Sequence, residues 1–168
     1  IIAFVRSPKH LVLFIAAFMM ACFKMGQEGL WGQISGGLVW QSQGIMRLHG
    51  STPMYLHPNT LSGMALGTLP FIYYLYSISK AWVKVVLVIM LIFAINIIIF
   101  TGSRAGYLAF ITFISYLFIR SKFKIKYVVC ALIIVMISIP MIPMDYVERF
   151  HSIFTGREIE GASYQARM

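Results

Sequence analysis

Five apolar runs divide this chain, at residues 11–23, 60–79, 85–100, 105–119 and 127–144, and none contains Asp, Glu, Lys, Arg or His. Uncharged runs of this length must be buried, in a protein core or in a lipid bilayer. The charges between the runs decide which. If each run crosses a membrane, successive connecting segments alternate between its two sides. Arg6, Lys9, Lys80, Lys84, Arg120, Lys122, Lys124 and Lys126 then fall on one side, with no acidic residue. Lys24, Glu28, Arg47, Arg104, Asp145, Glu148, Arg149, Arg157, Glu158, Glu160 and Arg167 fall on the other. Short loops rich in Lys and Arg stay cytoplasmic, so the first side is read as the cytosol. The expected fold class is all-α, a polytopic transmembrane bundle with five membrane helices. Residues 1–168 form part of one transmembrane domain, 24–59 its first outer loop and 145–168 the start of a long outer loop.

Composition agrees. A hydrophobic fraction of 60% with only 11% charged residues lies outside the soluble range. The net charge of +9 could suggest nucleic acid, but eight of the fourteen basic residues serve as cytoplasmic anchors. The outer side carries six basic and five acidic residues, a near balance, and no nucleic-acid partner is expected. Cys22 and Cys130 lie inside apolar runs and read as small packing residues. The apolar residues before Arg6 and the polar stretch at the other end suggest further helices on both sides.

The run at 11–23 has thirteen residues, roughly 20 Å of helix. It needs amphipathic ends to cross a bilayer core of about 30 Å, with Lys9 and Lys24 reaching the two interfaces. The Gly-rich loop 24–59, with Trp31 and Trp40 suited to a membrane interface, could hold short surface helices. Gly63 and Gly67 form a GxxxG step ahead of Pro70, which predicts close helix packing with a kink. Past Pro140 and Pro143, the spacing of Val147, Phe150 and Phe154 predicts an amphipathic helix resting on the bilayer. Asn96 is the only amide inside the apolar runs.

Two arginines on the outer side stand in unusual surroundings. Arg47 lies in MRLHGSTPMYLHPN, residues 46–59, just before the second run, and Arg104 in TGSRAGY, residues 101–107, between the third and fourth. The second segment must be a very tight turn, with Gly102 and Gly106 supplying backbone freedom and Ser103 able to cap the next helix. Arg104 then sits at a helix N-terminus, where backbone N–H groups and the dipole favour an anion over a cation. A guanidinium placed there makes sense if an anion occupies the site, and its planar fork suits phosphate. Simple anchoring of Arg104 at the interface is the alternative.

TGSRAGYLAF resembles the TxSRg motif of the bacterial O-antigen ligase/polymerase family. The upstream RLHG and HPNTLSG resemble that family's arginine–glycine segment followed by a Pro-Asn step, and ERFHSIF with SYQARM resembles the start of its long periplasmic loop. The resemblance spans residues 47–167. It implies a multi-pass glycosyltransferase of the bacterial inner membrane, its active site facing the periplasm. The donor it implies is a glycan on undecaprenyl diphosphate; the acceptor is the lipid A core for a ligase, or another lipid-linked glycan for a polymerase. Arg47 and Arg104 would hold the donor diphosphate and neutralise it as the glycosidic bond breaks. No cofactor or metal is implied.

In this family the base is a histidine of the long loop, which here is only begun, and His151 stands too early in it. His57, beside Pro58 and Asn59 at the mouth of the second run, is the candidate acid/base, with His49 behind it. The plainer reading of His57 is a capping or packing residue, and Asn59 reads best as the N-cap of the second helix, with Ser103 in support. His49 and His57 lack a third ligand at any recognised metal spacing, and no glycine pattern follows a strand as nucleotide binding needs. Outside this family, a transporter or channel subunit is the main alternative, although coupled transporters commonly carry an ionisable residue near mid-bilayer. A purely structural membrane subunit, a glycan-to-protein transferase and an exopolysaccharide polymerase also fit the pattern.

Overall fold

The computed structural model describes residues 7–42 and 45–120. These form four α-helices, α1 (Pro8–Ile34), α2 (Pro58–Ile78), α3 (Ala81–Phe100) and α4 (Arg104–Arg120), and a hairpin of β1 (Val39–Ser42) and β2 (Ile45–Leu48). A short 3-10 turn, Pro53–Tyr55, lies between β2 and α2. The chain is mostly helical, with four helices among the described residues rather than the five expected. The run at 127–144, the segment with Val147, Phe150 and Phe154, Cys130 and His151 lie outside the described residues.

α1 starts where the Ser7 side chain accepts from the His10 N–H and Pro8 supplies the preset backbone of the first turn. It runs for 27 residues, roughly 40 Å, far beyond the expected 11–23. The polar residues after Phe23 do not end it, because beyond that point its packed face is built from glycines. Gly26, Gly29 and Gly32 recur every third residue and are buried. A Cβ on Gly26 would stand 2.8 Å from Cβ of Phe93, and one on Gly29 3.1 Å from Cγ1 of Ile97. On its other side, Lys24 and Glu28 pair at 3.2 Å across one turn. α1 stops at Ser35, where Gly36 takes φ +72° and Leu38 N–H returns to the Gly32 carbonyl.

The first outer loop is thus shorter than 24–59 and is organised by strands rather than surface helices. Antiparallel pairing sets Val39 opposite Leu48, Trp40 opposite Arg47 and Ser42 opposite Ile45. Leu48 is fully buried against the rest of the core and lies near Gly29. Strands of four residues are too short to show a clear alternation in sequence.

α2 is joined to α3 by two residues, and α3 to α4 by three, so these helices alternate in direction. Phe18 of α1 meets Phe71 of α2, and Phe23 meets Phe93 of α3, each with ring centroids 5.5 Å apart. α1 therefore runs parallel to α3 and antiparallel to α2. The core is Met19 and Cys22 of α1, Leu61, Ala65, Leu69 and Ile72 of α2, and Leu87, Met90, Ala94, Ile97 and Ile98 of α3. Pro70 lies inside α2 as expected. Gly63 and Gly67, in contrast, are exposed, with no described atom within 4 Å of an added Cβ. Close packing is instead made by the α1 glycines and by Gly106 of α4, which rests on the buried Ser62.

Three helices, α1, α2 and α3, are long and apolar enough to cross a bilayer. Their outward surface is apolar as well: Val12, Leu13, Val85 and Ile92 are all exposed, which suits lipid and not water. This is a membrane protein. Lys9, Lys80, Lys84 and Arg120 belong to one end of the bundle, where Lys84 lies over the Tyr76 ring at 5.4 Å. Arg47 and Arg104 belong to the other.

The glycine contacts have a measurable consequence. Gly26→Ala forces its methyl against Phe93 and should cost about 1–3 kcal/mol, as overpacking does. Gly67→Ala, facing open space, should stay within about 1 kcal/mol of wild type. Thermal unfolding of both variants in detergent micelles checks this, and equal losses would contradict the packing described.

Candidate functional site

The turn between α3 and α4 is locked by its own side chains. Gly102 takes φ +57°, which lets three residues reverse the chain. The Thr101 hydroxyl donates to the Ile98 carbonyl at 3.1 Å, and Tyr107 OH to the Ile99 carbonyl at 2.8 Å. Ser103 caps α4 as expected, its Oγ accepting the Gly106 N–H at 3.1 Å. Thr101 and Ser103 are buried.

Arg47 reaches this turn from β2. Its side chain is only 1% exposed, the largest of the fully buried groups. Nε–H donates to the Thr101 carbonyl at 2.7 Å and Nη2–H to Asn59 Oδ1 at 3.1 Å. One guanidinium therefore ties together the RLHG segment, the Pro-Asn step that opens α2, and the TGSR turn. Arg104 follows as the first residue of α4 and is half-buried.

Asn59 is not the cap of α2. That position is His57, whose Nδ1 accepts the Asn59 N–H at 3.2 Å, with Pro58 in the first turn. The physical reason is the proline, which favours the first helical position and leaves the cap to the residue before it. The Asn59 side chain is thereby available to Arg47. His57 is exposed, and while its cap bond holds, its ring lone pair is engaged and the remaining nitrogen carries the proton.

His49 is the more enclosed histidine, 5% exposed. Its ring lies flat on the Trp40 indole, with centroids 3.7 Å apart and planes 18° apart. Nδ1 stands 2.8 Å from the Leu56 carbonyl, which can only accept, so Nδ1 bears the proton. Burial is the main force pushing the His49 pKa below its ordinary value; the Leu56 bond pulls the other way, and Arg47 and then His57 add to the depression.

The chain matches no protein-family model, no curated protein and no solved structure. Its chemistry rests on the residues themselves. Among the described residues no group of three His, Cys, Asp or Glu side chains could hold a metal ion. The structure brings Arg47, Asn59, Thr101 and Ser103 together, with Arg104 next in the chain. His57 belongs to the same end through Asn59. The sequence reads Trp40 as a membrane-interface residue and Thr101 as part of a tight turn, and it does not single out Ser62. Thr101 acts through its backbone carbonyl, which no side-chain pattern reveals, while Trp40 owes its place to strand register.

Neutral His49 is favoured in the folded state, so the unfolded chain takes up protons first as the pH falls below about 6.5. The stability this histidine contributes is present above that pH and lost as acid approaches the lower folded value. His49→Phe keeps the stack and cannot titrate. The unfolding temperature of wild type should therefore fall relative to that of His49→Phe from pH about 7.5 to about 5.5. A constant difference would contradict the assignment.

Proposed function

We propose that this chain is part of a membrane glycosyltransferase that moves a glycan from an undecaprenyl-diphosphate carrier to an acceptor sugar, of the O-antigen ligase or polymerase type. In this reading it sits in a bacterial inner membrane with the arginine end facing the periplasm. The supporting observation is the buried Arg47 guanidinium bonded to both Thr101 and Asn59. Three of the segments whose motifs resemble the family, RLHG, HPNTLSG and TGSR, are drawn to one place by it, at the end of the bundle away from Lys80, Lys84 and Arg120. A membrane-anchored carrier suits that position, since its diphosphate lies at the headgroup level beside the helix ends.

The reaction asks the site for charge stabilisation. An acceptor hydroxyl attacks the anomeric carbon, the bond from that carbon to the phosphate oxygen breaks, and the diphosphate leaves with the electron pair. The proton of the hydroxyl passes to a base. Negative charge grows on the leaving phosphate, where a guanidinium held in place beforehand lowers the barrier without reorganising. Arg104 is the first residue of α4, where the positive end of the helix dipole adds to its own charge. Arg47, fixed by Thr101 and Asn59, orients the turn that carries Arg104 and adds positive potential. Positive charge supplied by arginines meets this need without requiring a metal.

The test is a lipopolysaccharide gel from a host lacking the gene, rescued with wild type, Arg104→Ala or Arg104→Lys. Wild type should restore the glycan ladder. Arg104→Ala should lower transfer by about a hundredfold or more while still inserting in the membrane. Arg104→Lys should also be poor, because a point charge cannot replace the fork. In the deletion, core without any O-antigen means a ligase, and core with one repeat means a polymerase. A full ladder from Arg104→Ala would overturn the reading.

A further inference from the structure

The hairpin gives Arg47 two companions. Trp40 is its cross-strand partner, and His49 lies two residues beyond it, so all three belong to the same face of the paired segment. His49 is held from two directions, by the Trp40 stack and by the bond from Nδ1–H to the Leu56 carbonyl. Its remaining nitrogen, Nε2, carries a lone pair that is enclosed and has no hydrogen-bond partner. The Thr52 hydroxyl, three residues on in the same connection, is likewise enclosed and unmatched. Leaving a buried polar group without a partner is costly, and natural structures do it where a ligand or an ordered water completes the set. Here the ring is fixed in plane and tautomer, burial disfavours the imidazolium, and the neutral ring offers Nε2 as an acceptor. A carboxylate or phosphate oxygen cannot satisfy it. A hydroxyl can.

We infer that Nε2 of His49 accepts a hydrogen bond from a hydroxyl of the sugar attached to the diphosphate, making His49 the first contact of a sugar subsite next to Arg47. This rests on the diphosphate reading above and extends it to the next chemical unit of the donor. Arg104, backed by the positive potential of Arg47, recognises the charge common to every prenyl diphosphate, whereas His49 recognises that a sugar is present. Trp40 acts as a positioning residue, since its indole sets the plane of the imidazole. For a hydroxyl to reach the enclosed Nε2, neighbouring side chains must move while the Leu56 carbonyl keeps its bond to Nδ1–H.

The test uses the protein in phosphatidylcholine nanodiscs and two probes, prenyl diphosphate without a sugar and the same lipid bearing N-acetylglucosamine. Dissociation constants come from competition with a fluorescent prenyl diphosphate. Wild type should bind the sugar-bearing lipid roughly three- to tenfold more tightly, the range for one hydrogen bond. His49→Asn keeps a donor for the Leu56 carbonyl but ends short of Nε2, and should bind both lipids equally at the wild-type sugar-free affinity. His49→Gln, which carries an acceptor out to the position of Nε2, should retain a preference. In wild type the ¹⁵N resonance of Nε2 should move with the sugar-bearing lipid and not with the sugar-free one, a readout that needs no variant. Equal wild-type affinities with an unmoved resonance, or a full preference in His49→Asn, would overturn the sugar subsite and leave diphosphate binding standing. Failure of the sugar-free lipid to bind at all would remove the diphosphate reading, and the subsite with it.

Discussion

A guanidinium taken out of water has to recover its hydrogen bonds inside the protein, and Arg47 recovers two of them from groups far away in sequence. The Thr101 carbonyl is 54 residues along the chain and the Asn59 amide 12. Removing one partner from a buried charge is far more damaging than the bond alone is worth, because the charge is then stranded. The turn at Thr101, the start of α2 and the strand carrying Arg47 must therefore stay together for any of them to be stable.

The same end depends on how closely the helices approach. α1 can lie against α3 because its contact stripe is glycine, and α4 can lie against α2 because Gly106 faces Ser62. The extra length of α1 brings it up to the hairpin, where Leu38 and Leu48 pack on Gly32 and Gly29. Asn96, the one amide of the apolar runs, then donates an N–H to Gln33 Oε1 at 2.9 Å within the bundle. Packing in the bilayer thus sets the height of the hairpin, and the hairpin sets the position of Arg47 and His49. The apolar half of the chain and its polar end are one mechanical unit.

Much of this was legible in the sequence, for identifiable reasons. Uncharged apolar runs mark helices that must bury them, so α2, α3 and α4 fall within a few residues of the runs at 60–79, 85–100 and 105–119. Ser103 as a cap was readable from local chemistry. α1 was misjudged because Lys24 and Glu28 look like an end, and only the glycine stripe behind them keeps the helix going. The GxxxG step at Gly63 and Gly67 misled in the opposite way: the motif allows close approach but does not require it. Arg47 and Arg104 stood out as unusual, yet the link between them runs through a backbone carbonyl, which sequence does not mark. The hairpin, with two strands of four residues each, carries too little pattern to be seen.

Selective binding of a diphosphate is the claim on which the rest of the functional account stands. Native mass spectrometry tests it directly, on protein released from bilayers containing equal amounts of a prenyl monophosphate and a prenyl diphosphate. The account predicts that wild type retains the diphosphate lipid in preference, and that Arg104→Ala retains neither above the level of bulk phospholipid. Equal retention of the two lipids by wild type, or undiminished diphosphate retention by Arg104→Ala, would contradict it.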